Sequence, residues 1–137
     1  MTQLTQRDKQ RLTGVKDAMV RVVSRCAVLY PGTFMVVEGL RTKARQAELF
    51  AQGRTKPGKI VTWTMASKHL TGDAVDIAPV VGGAIPWGNP KAFDELAQCM
   101  FAAAKQEGIA ICWGADWNNN GMLREKGETD SPHFQLA

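Results

Sequence analysis

The 137-residue chain is predicted to fold as one α+β domain, a small and mostly antiparallel sheet flanked by helices. Three observations predict it. Helical and strand-like segments do not alternate regularly, as a doubly wound fold would require. The apolar strand-like runs are short. No glycine-rich phosphate-binding turn follows any of them. The length suits a single domain spanning residues 1–137 with a real core, and a composition of 45% hydrophobic and 22% charged residues is ordinary for a globular protein.

Taken in order, Leu12, Val15, Met19, Val22, Cys26 and Tyr30 recur at steps of three and four, which predicts one amphipathic helix over residues 6–30. Thr5 with Asp8 resembles a capping box, with Asp in place of the usual Glu, and Pro31-Gly32 ends the helix. Phe34 to Glu38 is a β-type run. Thr42 caps a second helix through about Gln52, and Gly53 stops it. Residues 54–68 are basic and loop-like, with Ile60 to Thr64 as a short strand. Ala74 to Val81 alternates, then turns apolar, which suits a strand with Asp76 on the side of Ala74 and Ala78. Asn89-Pro90 reads as an N-cap followed by Pro at the first helical position. Phe93, Leu96, Ala97, Met100, Phe101 and Ala104 form that helix's apolar stripe, and Gly108 closes it. Ile109 to Cys112 reads as a buried strand, residues 114–130 as a polar loop, and His133 to Leu136 as a terminal strand.

Bulk properties narrow the function. No stretch approaches the roughly 20 apolar residues that span a bilayer, and the polar start Met1-Thr2-Gln3-Leu4-Thr5 lacks the apolar core of a secretory signal. Synthesis in the cytoplasm without a signal peptide is the expectation, as are no membrane insertion and a monomer. Cys26, Cys99 and Cys112 are odd in number, widely spaced and set among apolar neighbours, so buried free thiols are expected rather than disulfides or a thiolate metal site. A net charge of +4 and a pI near 9.2 favour polyanionic partners such as anionic wall polymers. No motif supports nucleic-acid binding.

Only two histidines occur, and each sits in a motif that reads as half of a zinc site. The first is Ser67-Lys68-His69-Leu70-Thr71-Gly72-Asp73-Ala74-Val75-Asp76, and the second is Asp130-Ser131-Pro132-His133-Phe134. Two imidazoles, a carboxylate and a second carboxylate three residues from a ligand match the needs of a catalytic zinc: three protein ligands, an open position for water and a base beside it. His69 and Asp76 are too far apart for the one-helix-face arrangement of H-E-x-x-H enzymes. Gly72 instead permits a turn, so that His69 on a loop can face Asp76 on the next strand. Asp130, kept off the metal, has the proton-transfer task, and Asp76 the metal. The bland readings are that each histidine is structural, that Asp130 is a turn residue before Pro132, and that Ser67 caps a turn. Trp63, Trp87, Trp113 and Trp117 read as packing residues before sugar platforms. Asp73 would point away from Asp76 if both lay on one strand.

The two motifs resemble those of the zinc peptidases that cut bacterial peptidoglycan peptides, which include D-alanyl-D-alanine carboxypeptidases and phage L-alanyl-D-glutamate endolysins and share their core fold with Hedgehog signalling domains. Gly39-Leu40-Arg41-Thr42-Lys43-Ala44-Arg45-Gln46 resembles the family's G-x-R-[ST]-x-x-x-Q element, and Trp113-Gly114-Ala115-Asp116-Trp117 another, with Ala115 where glycine is more usual. The similarity covers roughly residues 35–137 and looks most like the endolysin branch. It implies that His69, Asp76 and His133 hold one zinc, that Asp130 is the general base, and that Arg41 faces a substrate carboxylate or the developing oxyanion. Gln46 and Ser67 are implied as secondary substrate contacts.

The implied function is hydrolysis of the peptidoglycan L-alanyl-D-glutamate bond in host lysis, on the wall after the membrane has been permeabilised, with no separate wall-binding domain. The alternatives are a carboxypeptidase trimming D-Ala from the same polymer, and a non-catalytic zinc-stabilised module. A basic nucleic-acid binder is a third. Asp116-Trp117-Asn118-Asn119-Asn120-Gly121 also matches the opening of a calcium loop, with Asp116, Asn118 and Asn120 as ligands. Gly127 stands where the bidentate acid is expected, so any Ca²⁺ site would be weak.

Overall fold

The structure is a computed structural model and describes residues 2–60, 67–116, 123–124 and 130–137. In chain order the described elements are α1 (Gln6–Arg11), α2 (Asp17–Leu29), β1 (Thr33–Glu38), α3 (Lys43–Ala51), a 3₁₀ turn (Lys68–Thr71), β2 (Ala74–Val80), α4 (Pro90–Glu107), β3 (Ile111–Gly114) and β4 (Asp130–Leu136). The four strands form one antiparallel sheet in the order β1-β2-β4-β3. This is the expected α+β architecture.

The sheet has two faces of different chemistry. Val36 pairs with Ile77, Val75 with Phe134, and Phe134 with Trp113. All five are buried in the core cluster with Met19, Val22 and Cys26 of α2 and Leu96, Ala97 and Met100 of α4. Alternation along each strand sends the intervening residues to the opposite face. There Glu38 pairs with Asp76 and Asp76 with His133, a polar row across three adjacent strands. The core therefore sits between the sheet and α2/α4, and the functional candidates lie on the other side.

The N-terminal helix differs from expectation. It is two helices, because Gly14 takes a left-handed φ of +84°, where a side chain would meet Leu40 Cδ2 at 2.6 Å. The Lys16 amide donates to the Gly72 carbonyl at 2.9 Å instead of continuing the helix. The apolar periodicity runs through the break because Leu12, Val15 and Met19 all reach the same core. The Thr5/Asp8 capping box is present in both directions, and Asp8 also accepts from the Val36 amide at 3.0 Å, pinning α1 to β1.

Other boundaries shift for local reasons. Thr42 caps α3 by accepting from the Arg45 amide at 3.1 Å. Asn89 makes no side-chain cap to α4, although Pro90 stands at its first turn. Gly108 ends α4 in the left-handed region, and the Ile109 amide returns to the Ala104 carbonyl at 2.9 Å, which delays β3 to Ile111. Strand β4 starts at Asp130, earlier than expected, since Asp130 pairs with Gly114 across a register shift. Of the expected strand Ile60 to Thr64, residues 61–64 lie outside the described residues. Asp73 precedes β2 and pairs with Lys16 at 2.8 Å.

Among the cysteines only Cys26 is fully buried, with Cys99 and Cys112 partly exposed and all three free. Burial, and then the neighbouring Cys99, push the Cys26 thiol up to about 12. Trp113 packs as expected, stacked on Phe134 at 6.1 Å; Trp87 stacks on Phe93 at 5.7 Å on one side and is 61% exposed. Trp63 and Trp117 lie outside the described residues.

Candidate metal centre

Three elements deliver the site. Ser67 caps the 3₁₀ turn by accepting from the His69 amide at 3.2 Å, and Gly72 closes that turn at φ +77°. This is the reversal that lets His69 face Asp76. Asp76 and His133 stand opposite each other on β2 and β4. His69 and His133 are buried.

The contacts converge on one carboxylate oxygen. His69 Nε2 is 3.2 Å from Asp76 Oδ1, and His133 Nδ1 is 3.3 Å from the same atom. The two rings meet edge to face at 5.0 Å between centroids. One ligand atom from each of the three residues lies within 4.8 Å of the other two.

The far side of each ring decides its tautomer. His69 Nδ1 is 2.8 Å from the Gly39 carbonyl, which can only accept. His133 Nε2 is 2.9 Å from Gln135 Oε1. With those nitrogens protonated, a neutral ring turns a lone pair toward Asp76 Oδ1, itself an acceptor. Acceptors crowded in this way require a cation or a proton between them. Two imidazole nitrogens and one carboxylate oxygen, oriented by outer hydrogen bonds, are a donor set suited to a divalent ion such as zinc. The residues fit the metal.

Electrostatics agree with that geometry. Burial alone would raise the Asp76 carboxyl, but hydrogen bonds from His133 and then His69 outweigh it and hold Asp76 well below the usual carboxylate range. Burial would lower His133, but its hydrogen bond to Asp76 and the Asp76 charge raise it above the usual imidazole value. Without metal, then, a proton takes the place beside Asp76.

Asp130 stands at the margin, its Oδ2 3.8 Å from His133 Nδ1, with a side chain 55% exposed. Crowding by the surrounding protein, and then the Asp76 charge, raise its carboxyl above the usual range, against the pull of His133, His69 and Arg41. Its backbone is fixed by the pairing with Gly114, where any Cβ would strike the Asp130 carbonyl. The Trp113 indole N–H donates to the Ser131 carbonyl at 2.7 Å and steadies the same strand start.

Arg41 is buried beside the centre, and its amide donates to the His69 carbonyl at 2.9 Å. Its Nε and Nη2 donate to the two Glu38 oxygens at 3.0 and 2.7 Å, and its Nη1 donates to Gln46 Oε1 at 2.7 Å. Nη2 is also 3.9 Å from Asp76 Oδ2. The fork expected to meet substrate thus meets Glu38 and Gln46. Gln46 is fully buried, and Ser67 contacts the His69 backbone.

Sequence reasoning missed Glu38, Gln135 and the Gly39 carbonyl as supports of the site. Gln135, two residues from His133 on a strand, shared a face with it and could have been found. Glu38 carried no such signal. Of the calcium-loop residues, Asp116 is buried, and Asn118 and Asn120 lie outside the described residues.

Comparison with known proteins gives this centre a class. A model of the phage L-alanyl-D-glutamate peptidase family matches residues 1–137, and the chain belongs to that family, one of hydrolases. It is 35% identical over 135 residues to the L-alanyl-D-glutamate peptidase of Escherichia phage T5, covering 94% of this chain and 93% of that protein. It is 34% identical over 110 residues to the peptidoglycan L-alanyl-D-glutamate endopeptidase CwlK of Bacillus subtilis, covering 74% of this chain and 59% of the relative. The crystal structure of the L-Ala D-Glu endopeptidase ChiX of Serratia marcescens superposes with a TM-score of 0.79 at 32% identity, covering 100% of this chain and 90% of that one. Among the described residues no helix is long and apolar enough to cross a membrane.

Proposed function

We propose that the chain is a zinc-dependent endopeptidase that hydrolyses the L-alanyl-D-glutamate bond of peptidoglycan stem peptides, working as a phage-type endolysin on the wall once the inner membrane has been breached. The observation that carries this reading is the convergence of His69 Nε2 and His133 Nδ1 on Asp76 Oδ1, in a family named for that bond. Bound by those three residues, zinc would supply Lewis acidity, polarising the scissile carbonyl and acidifying water.

The remaining chemistry belongs to the chain's own groups. Asp130 accepts the proton of the attacking water and hands it to the departing amine. A carboxyl raised above its ordinary range is the stronger base for the first step and is still acidic enough for the second. Arg41 contributes positive charge where the carbonyl oxygen turns negative, and Glu38 and Gln46 hold it in place. Ser67 acts through the turn that presents His69. A weak calcium site at Asp116, Asn118 and Asn120 is the secondary metal reading, supported only by the residue pattern; a melting temperature and activity unmoved by added calcium remove it.

Digestion of purified peptidoglycan with and without a chelator, followed by mass analysis, tests the main reading. New amino termini on D-Glu that vanish with chelator support it. Free D-Ala instead would assign the chain to the carboxypeptidases, and intact peptides to a binding module.

A further inference from the structure

A groove of about 370 Å³ opens beside Asp130, walled by Trp87, Phe93 and Pro132 and carrying Arg124 and Ser131. None of His69, Asp76 and His133 lines it. We propose that Arg124 is the receptor for the free carboxylate of the glutamyl residue that follows the scissile bond, which makes it a specificity residue; the inference rests on the peptidase reading above.

The substrate's chemistry sets the requirement. A glutamyl residue in a peptide keeps one carboxyl free, whichever of its two carboxyls carries the chain onward. The free group stands within a residue of the bond that breaks, and so close to Asp130 and Asp76. Seating an anion beside two carboxylates requires a cation with donors to offer. Arg41 has its three nitrogens on Glu38 and Gln46.

Arg124 is built differently. Its Nη2 donates to Asp94 Oδ1 at 2.7 Å, to Ser131 Oγ at 3.1 Å and to the Pro90 carbonyl at 3.3 Å. Its Nε reaches Ser131 Oγ at 3.3 Å. Among the described residues Nη1 has no partner, so one edge of an otherwise fixed fork remains for a ligand. The backbone is held too. Arg124 takes a left-handed φ of +56°, rare for a side-chain-bearing residue, and its amide donates to the Ala115 carbonyl at 2.8 Å. Strained residues held in this way cluster at binding sites. Trp87 stacks on Phe93 at 5.7 Å, and its exposed ring offers an apolar wall for the glutamyl methylenes. Asp130 lines the same groove, so a carboxylate on Arg124 lies beside the group that moves the proton.

The test compares two synthetic stem peptides, one with that carboxyl free and one with it converted to a carboxamide, as substrates of the zinc-loaded enzyme. A hydrogen bond between charged groups predicts a kcat/KM preference for the free acid of about tenfold or more. The variant R124Q is expected to reduce the preference to within about twofold, with the larger loss of kcat/KM falling on the free-acid peptide. R124K, which keeps charge but not the fork, is expected to retain a weakened preference and serves if R124Q does not fold. A wild type indifferent to the carboxyl, or variants that lose both activities in proportion and keep the ratio, would overturn the assignment. Wild type cleaving neither peptide strikes the peptidase reading itself, whereas equal cleavage of both strikes only Arg124.

Discussion

Asp76 and Asp130 are two carboxylates of one site pushed to opposite sides of their ordinary range. On the reading proposed above, such divergence would separate roles: the group held ionised would bind the cation, and the group raised toward neutrality would carry protons. Asp130→Asn should therefore lower kcat by about 10²–10⁴-fold while zinc content by metal analysis stays near one per chain. Loss of zinc along with activity would make Asp130 a ligand. Gln135→Ala should loosen the metal by about 10–100-fold, as removal of an outer partner of a ligating histidine commonly does; chelator competition measures it. The candidate ligands were legible because the chain has only two histidines, each in a distinctive motif. Glu38 was not legible, since its place depends on the irregularity between Val36 and Glu38 that aligns it with Asp76.

The 3₁₀ turn is the element on which the centre depends most directly. Gly72 ends it at φ +77°, and a Cβ there would overlap the Gly14 carbonyl. Gly72→Ala should cost roughly 2–5 kcal/mol, combining left-handed strain with overpacking. Chemical denaturation would read this loss, and a change below about 0.5 kcal/mol would contradict the account of the turn. The sequence displayed this turn because Gly72 falls within the seven-residue spacing of His69 and Asp76, which left few ways to bring them together. It hid the division of the first helix, because apolar periodicity reports which residues reach the core and not whether the backbone between them stays helical. Gly14 was the available signal.

Across the whole molecule, pH acts on zinc and on the metal-free fold in opposite senses. In the metal-free protein, the raised His133 contributes stability that is full below the ordinary imidazole value of about 6.5 and is lost as pH rises through the raised one. The lowered Asp76 contributes stability above the ordinary carboxylate range, lost as pH falls through its depressed value. The metal-free protein gains most from this pair in the mildly acidic window between them. Zinc held as proposed would require His133 neutral, so its binding would strengthen as pH rises. The rise in melting temperature on adding zinc should be small near about pH 5 and grow toward about pH 8; calorimetry across that range checks it, and a pH-independent increment would contradict it.

Strand β4 lies in the middle of the sheet, between β2 and β3, yet residues 130–136 leave the ribosome after every other described strand. A nascent chain stopped short of them holds His69 and Asp76 but neither His133 nor Asp130. It presents an open slot where the seam should close. The His69, Asp76 and His133 group is thus complete only once β4 has docked beside β2.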